Sequence, residues 1–161
     1  MITAALLELF DDRDEVFEII KSFDIPGVRY KIEKVDKCGI VGTGITVTVN
    51  GVEESEDIHS HYHSNLSDVE KNISGISNVS EKVKNDAINV YRIIAQAESK
   101  VHGKALTDIH FHEVGTLDAI ADVTAVCYLL DKLSVDSIIV SNINTGSGFV
   151  NCAHGTLPVP A

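Results

Sequence analysis

Positive charge is scarce in this sequence. Lys and Arg number 13 against 24 Asp and Glu, for a formal net charge of −11 with His neutral. That balance repels the phosphates of nucleic acid and an anionic membrane surface alike, so neither is an expected partner, and cations are. Cysteine is scarce too. Cys38, Cys127 and Cys152 are far apart, odd in number and without a C-x-x-C pair, which argues against a disulfide framework or a thiolate zinc site and fits a reducing cytosol. No apolar run reaches membrane-spanning length, and the stretch Ile2 to Leu7 lacks the length, basic flank and cleavage site of a signal segment. The expectation is a soluble, cytoplasmic protein. Neither G-x-S-x-G nor H-E-x-x-H occurs, and no Cys stands beside a plausible base, so hydrolase and zincin readings find no support. Internal repeats, heptads and Gly/Ser linkers are absent as well. At 161 residues and 44% hydrophobic, the chain is expected to form one α/β domain over 1–161.

What is present in quantity is histidine among carboxylates: seven His in a strongly acidic chain. Their placement depends on the elements that the pattern predicts. Residues 2–10 read as a helix without a cap, and Asp12 with Glu15 as an acidic capping box for a helix over 13–23. Residues 28–35 and 45–49 alternate apolar and polar, with Cys38-Gly39 and the glycines of 42–44 between them; this predicts a two-stranded antiparallel unit with a bulged connection. Residues 50–65 are polar and hold too few apolar groups to anchor them, which predicts a disordered His-rich acidic loop. Ser67-Asp68-Val69-Glu70 reads as a capping box for a short helix ending near Gly75. A longer helix follows over 81–101, with Val83, Ala87, Val90, Ile94, Ala97 and Val101 as its core stripe. A short strand over 109–112, a turn at Gly115, a very apolar helix over 117–133 and a strand over 137–140 complete the pattern. Strand, helix, strand predicts parallel pairing through a right-handed crossover, within a mixed sheet on which the helices pack.

His59, His61 and His63 alternate, so an extended backbone sets all three imidazoles on one side. Neutral imidazole suits Ni, Zn, Cu or Co. The plainer alternative is a solvated polar loop that happens to contain histidines. In His110-Phe111-His112-Glu113 the two histidines face one way from a strand and Glu113 sits beside the turn. Asp118 and Asp122 lie one turn apart on the apolar helix, where unpartnered carboxylates are costly. Asp118 has a structural explanation in the helix dipole, whereas Asp122 lies deeper. His110, His112, Glu113, Asp118 and Asp122 therefore form a candidate metal site, with satisfied structural polar groups as the alternative. His102, before Gly103 at a helix end, reads as structural, and Cys127 as core. Gly146-Ser147-Gly148 could admit a phosphate to backbone amides, but the lysine and helix of a P-loop are missing. His154 could line the same crevice.

Val101-His102-Gly103, Ile109-His110-Phe111-His112-Glu113-Val114-Gly115 with Asp118 and Asp122, Gly146-Ser147-Gly148, and Ala153-His154-Gly155 through Leu157-Pro158-Val159-Pro160-Ala161 together resemble the nickel-insertion proteins of nickel-pincer cofactor synthesis. The His-rich loop and Leu66-Ser67-Asp68 sit where that family has them. The resemblance implies a CTP-dependent nickel chelatase of the lyase class. Such an enzyme delivers Ni(II) to pyridinium-3,5-bisthiocarboxylic acid mononucleotide, leaving nickel held by two sulfurs and a carbon. It implies that CTP, with Mg or Mn, binds in a C-terminal domain outside this segment, and that a racemase-type apoenzyme receives the product; a homo-oligomer is compatible with it. It implies too that a first strand with a Gly-rich turn precedes Met1 and that further helices and the C-terminal domain follow Ala161, so that without the latter this segment alone does not complete the reaction. Nickel itself comes from the resemblance, since imidazole and carboxylate accept most later divalent ions. Two rivals stand beside this reading: a nickel or zinc store without chemistry, and a metal-dependent phosphotransfer or hydrolytic enzyme built on Asp118, Asp122 and the glycine loop.

Overall fold

The computed structural model describes residues 1–53, 64–111, 114–144, 146–152 and 155–159. Helix α1 (Ile2–Leu7) begins without a side-chain cap and buries Thr3, Ala4 and Leu7. Helix α2 (Arg13–Lys21) has Asp12 at its N-cap, but the side chain accepts no cap hydrogen bond, so the expected box with Glu15 does not form. Asp14 and Glu15 instead favour the helix through its dipole. Its buried face is Val16, Phe17 and Ile20.

Strands β1 (Val28–Lys37) and β2 (Ile40–Val49) pair in unbroken antiparallel register from Val28↔Val49 to Lys37↔Ile40. The connection is a two-residue turn in which Cys38 and Gly39 take φ of 55° and 82°. Both values positive is the turn whose twist matches the flanking strands, and Gly39 N–H donates to Asp36 Oδ1 at 2.9 Å. No bulge is needed, because Gly42 and Gly44 lie inside β2. At Gly44 a Cβ would come within 2.8 Å of Val35 Cγ1, so the missing side chain makes room for its neighbour.

Strand β3 (Ser64–Asn65) leads into helix α3 (Leu66–Gly75). The capping box is there but starts earlier than Ser67: Asn65 Oδ1 accepts from Asp68 N–H, and Asp68 accepts in return from Asn65 N–H. Helix α4 (Glu81–His102) is capped by Ser80 and ended by Gly103 in the left-handed region. It buries Val83, Ala87, Ile88, Tyr91 and Ala95, while Val90 and Val101 are 36% and 79% exposed. The helix therefore rolls to bury its large aromatic, and the expected stripe holds at Val83 and Ala87 and, partly buried against the core, at Ile94.

After a short 3-10 turn (Leu106–Asp108), strand β4 (His110–Phe111) pairs antiparallel with β3, not with 137–140. Helix α5 (Leu117–Leu133) follows, then an antiparallel hairpin of β5 (Gly148–Cys152) and β6 (Gly155–Val159). The expected parallel crossover is thus absent: among the described residues all three sheets are two-stranded and antiparallel. Residues 137–140 have no ladder partner there, and Ile139 is 94% exposed. The α/β character holds, with helices packed on strands around one cluster that includes Leu7, Ile20, Ile73, Tyr91, Phe111, Ile120 and Leu129. Of the stretch 50–65 expected to be disordered, 64–65 are instead ordered as β3 because they pair with β4, and 54–63 lie outside the described residues.

The turn into α5 is pinned by Ser64, which is 2% exposed and donates its hydroxyl to the Gly115 carbonyl at 2.6 Å. A Cβ on Gly115 would lie 2.4 Å from Ser64 Oγ and 2.7 Å from Phe111 Cβ. Gly115→Ala is therefore expected to lower unfolding stability by about 1–3 kcal/mol through overpacking, read by chemical denaturation.

Candidate functional site

The two carboxylates that the sequence singles out project from the first half of α5. Asp118 is in its first turn, where an acid favours the dipole. Asp118 is partly exposed, but its Oδ1 is buried and has no hydrogen-bond partner. Asp122, one turn on, is open to solvent at the residue level. Its Oδ1 accepts from the Thr3 hydroxyl at 3.2 Å, which ties α1 to α5. The protein packed around its base nonetheless raises its carboxyl above the ordinary carboxylate value. Thr3 and the N-terminal amino group oppose that shift, and Asp118 adds to it.

Two tyrosines close the inner side of this carboxylate pair. Tyr30, on β1, is buried and donates its hydroxyl to the Ala121 carbonyl at 3.0 Å. Tyr91, on α4, is fully buried, and its ring meets Phe111 edge-on at 5.8 Å. Its hydroxyl has no partner. Burial, and then the charges of Asp118 and Asp122, hold the Tyr91 phenol far above its ordinary value, so it stays protonated and can only be a neutral donor or a weak oxygen ligand. Tyr30 is raised in the same way, by burial and then by Asp122.

The remaining sequence candidates are less concentrated. His110 is exposed on β4, in register with Asn65. His112, Glu113, His59, His61, His63 and His154 lie outside the described residues. Among the described residues no group of three or more His, Cys, Asp or Glu is close enough to hold a metal ion; of the expected five-residue pocket His110, Asp118 and Asp122 are in view, and the structure does not bring these three together as such a group. At the glycine loop, Gly146 N–H donates to Asn144 Oδ1 at 2.9 Å, so that amide is engaged within the loop, and Gly148 opens β5. His102 pairs with Glu98 at 3.1 Å at the end of α4, as a structural histidine would. Burial pushes the Cys127 thiol up to about 11, in keeping with a core residue. Sequence reasoning missed Thr3, Tyr30 and Tyr91. For Tyr91 the signal was available: a phenol in an otherwise aliphatic helix face must find its hydroxyl a partner.

These elements define an α/β frame that carries the Asp118 and Asp122 pair on a largely buried helix. The chain belongs to the nickel insertion protein family, which matches it over residues 1–161. The pyridinium-3,5-bisthiocarboxylic acid mononucleotide nickel insertion protein of Clostridium kluyveri is 42% identical over 166 residues, covering 100% of this chain and 41% of the relative. Proteins of the same name from Acetivibrio thermocellus and Akkermansia muciniphila are 38% and 36% identical, covering 99% and 100% of this chain and 39% and 40% of their own length. The chain thus spans about two fifths of the length of these relatives. No solved structure matches it. Among the described residues no helix is long and apolar enough to cross a membrane.

Asp122 also sets a pH dependence. Because its folded value is raised, the folded state holds the proton more tightly than the unfolded chain. The stability from this group is therefore present at low pH and lost as pH rises through the folded value. Asp122→Asn removes the charge and keeps an oxygen for Thr3. In metal-free protein it is expected to raise the melting temperature at about pH 7, with the gap to wild type closing as pH falls below the ordinary aspartate value of about 3.9.

Proposed function

We propose that this chain binds Ni(II) as cargo and takes part in inserting it into pyridinium-3,5-bisthiocarboxylic acid mononucleotide, forming the nickel-pincer cofactor. The observation that carries the reading is the Asp118 and Asp122 pair, one turn apart on α5, in a chain matched over its full length by a nickel insertion family. In this reading His59, His61 and His63 collect the ion, and His110, His112 and Glu113 complete the site begun by the two aspartates. Gly146, Gly148 and His154 border the mononucleotide. The work of the site is ligand exchange. Carboxylate and imidazole hold a divalent ion by bonds that can be given up one at a time, and the acceptor's two sulfurs, with the ring carbon once it has released its proton to solvent, bind nickel more strongly, so transfer runs toward the product. CTP, used with Mg or Mn, belongs in this proposal to the part of the longer family proteins beyond the present segment, and a racemase-type apoenzyme takes the finished cofactor. The segment by itself then loads nickel without completing insertion. A cytoplasmic setting agrees with the acidic composition and the scarcity of cysteine.

Calorimetric titration with Ni(II) tests this. Wild type is compared with a variant carrying Ala at 59, 61 and 63, one carrying Ala at 110 and 112, and one carrying Asn at 118 and 122. The loop variant is expected to lose weak, multiple binding, and each of the other two to lose at least tenfold in affinity for one tight ion. Equal binding by all four overturns the site assignment. Loose binding of several ions with no tight one favours a metal store. Preference for Mg or Mn, with turnover of a nucleotide by this segment, favours phosphotransfer.

A further inference from the structure

We propose that Tyr91 is a positioning residue for Asp118: its hydroxyl grips the inner carboxylate oxygen, so that the outer oxygen is presented to the cation in one orientation. The inference rests on the cargo reading above and adds to it a residue that carries no metal-ligand character of its own. Within the described core, the two buried side-chain oxygens without a partner are Tyr91 Oη and Asp118 Oδ1. They sit on α4 and α5, which pack against each other. Their chemistry is complementary, since a neutral phenol donates and a carboxylate oxygen accepts. The charges of both Asp118 and Asp122 bear on the Tyr91 hydroxyl.

Tyr91 has no other use for its oxygen. The ring is fully buried and held edge-on by Phe111 at 5.8 Å, so the hydroxyl cannot turn out to water. Asp118, by contrast, is buried at one oxygen and partly exposed as a residue. A carboxylate held on one oxygen loses less rotamer freedom when the other binds a cation. It also shares its charge with the donor, which keeps the metal bond exchangeable. Partners of this kind behind a ligand alter metal affinity by about 10–100-fold.

Tyr91→Phe deletes only the oxygen and tests the role in the full chain. Nickel affinity is expected to fall about tenfold. Asp118→Asn should cost at least as much, and the double variant no more than Asp118→Asn alone. The melting temperature of Y91F should fall modestly, because the ring stays but the inner oxygen of Asp118 loses its donor. A readout independent of nickel is the Tyr91 hydroxyl proton in the NMR spectrum, assigned by its loss in Y91F, which should shift in D118N. Unchanged nickel affinity in Y91F alongside a loss in D118N overturns the positioning role and leaves the cargo reading standing. A hydroxyl resonance unmoved in D118N overturns the pairing itself. If the resonance moves and neither variant alters nickel affinity, Asp118 is no cargo ligand, and the positioning role falls with that assignment.

Discussion

The packing of one apolar helix organises this protein. Helices α1, α3 and α4 and both strands of the long hairpin all meet α5. Its buried residues Ile120, Ala121, Thr124, Ala125, Cys127 and Leu129 are spread around more than one face, as expected for a helix covered on several sides. At about 25 cal/mol per Å² of apolar surface removed from water, such a helix is a leading contributor to the core. It also carries Asp118 and Asp122, so the element that stabilises the fold is the one that positions the acidic face.

That coincidence explains the polar chemistry around the pair. Carboxylates rooted in a buried helix need neighbours that do not destabilise it. Thr3 supplies one donor, to Asp122. Tyr30 uses its hydroxyl on the α5 backbone at Ala121 instead. Asp118 is left with an inner oxygen that nothing satisfies. Among the described residues the two unmatched buried side-chain oxygens are Tyr91 Oη and Asp118 Oδ1, and each such exception to the rule that buried polar groups are partnered calls for an explanation. Such departures cluster where a fold serves something besides its own stability.

Much of this was legible in the amino-acid sequence. The helices over 13–21, 81–102 and 117–133 and the hairpin of 28–49 announce themselves by period and by glycine, and the Asp118 and Asp122 pair stands out because its helix is otherwise so apolar. What was not legible depends on long-range choices. Apolar alternation at 109–112 marks a strand but not its partner, and the choice of Ser64–Asn65 over 137–140 is made by Ser64 reaching the Gly115 carbonyl. In α4 two overlapping apolar rhythms coexist, and only packing shows that Tyr91 turns inward while Val90 turns out. Capping boxes slide by a residue or two because Asn, Ser and Asp compete for the same amides, as Asn65 and Ser67 do here. Thr3 was invisible as a site neighbour, since nothing local connects it to a residue so far along the chain.

The Thr3–Asp122 hydrogen bond, spanning 119 positions in sequence, has a kinetic consequence. A contact of that separation forms only after the intervening chain has condensed, and such contacts slow folding. The acidic face is therefore assembled late, and an incompletely folded chain lacks the alignment of α1 and α5 that orients Asp122. On the proposed cargo reading, a cation held by that face binds the folded state in preference to the unfolded one and stabilises it by mass action. Loading with cargo and completion of the fold are then two readings of the same equilibrium.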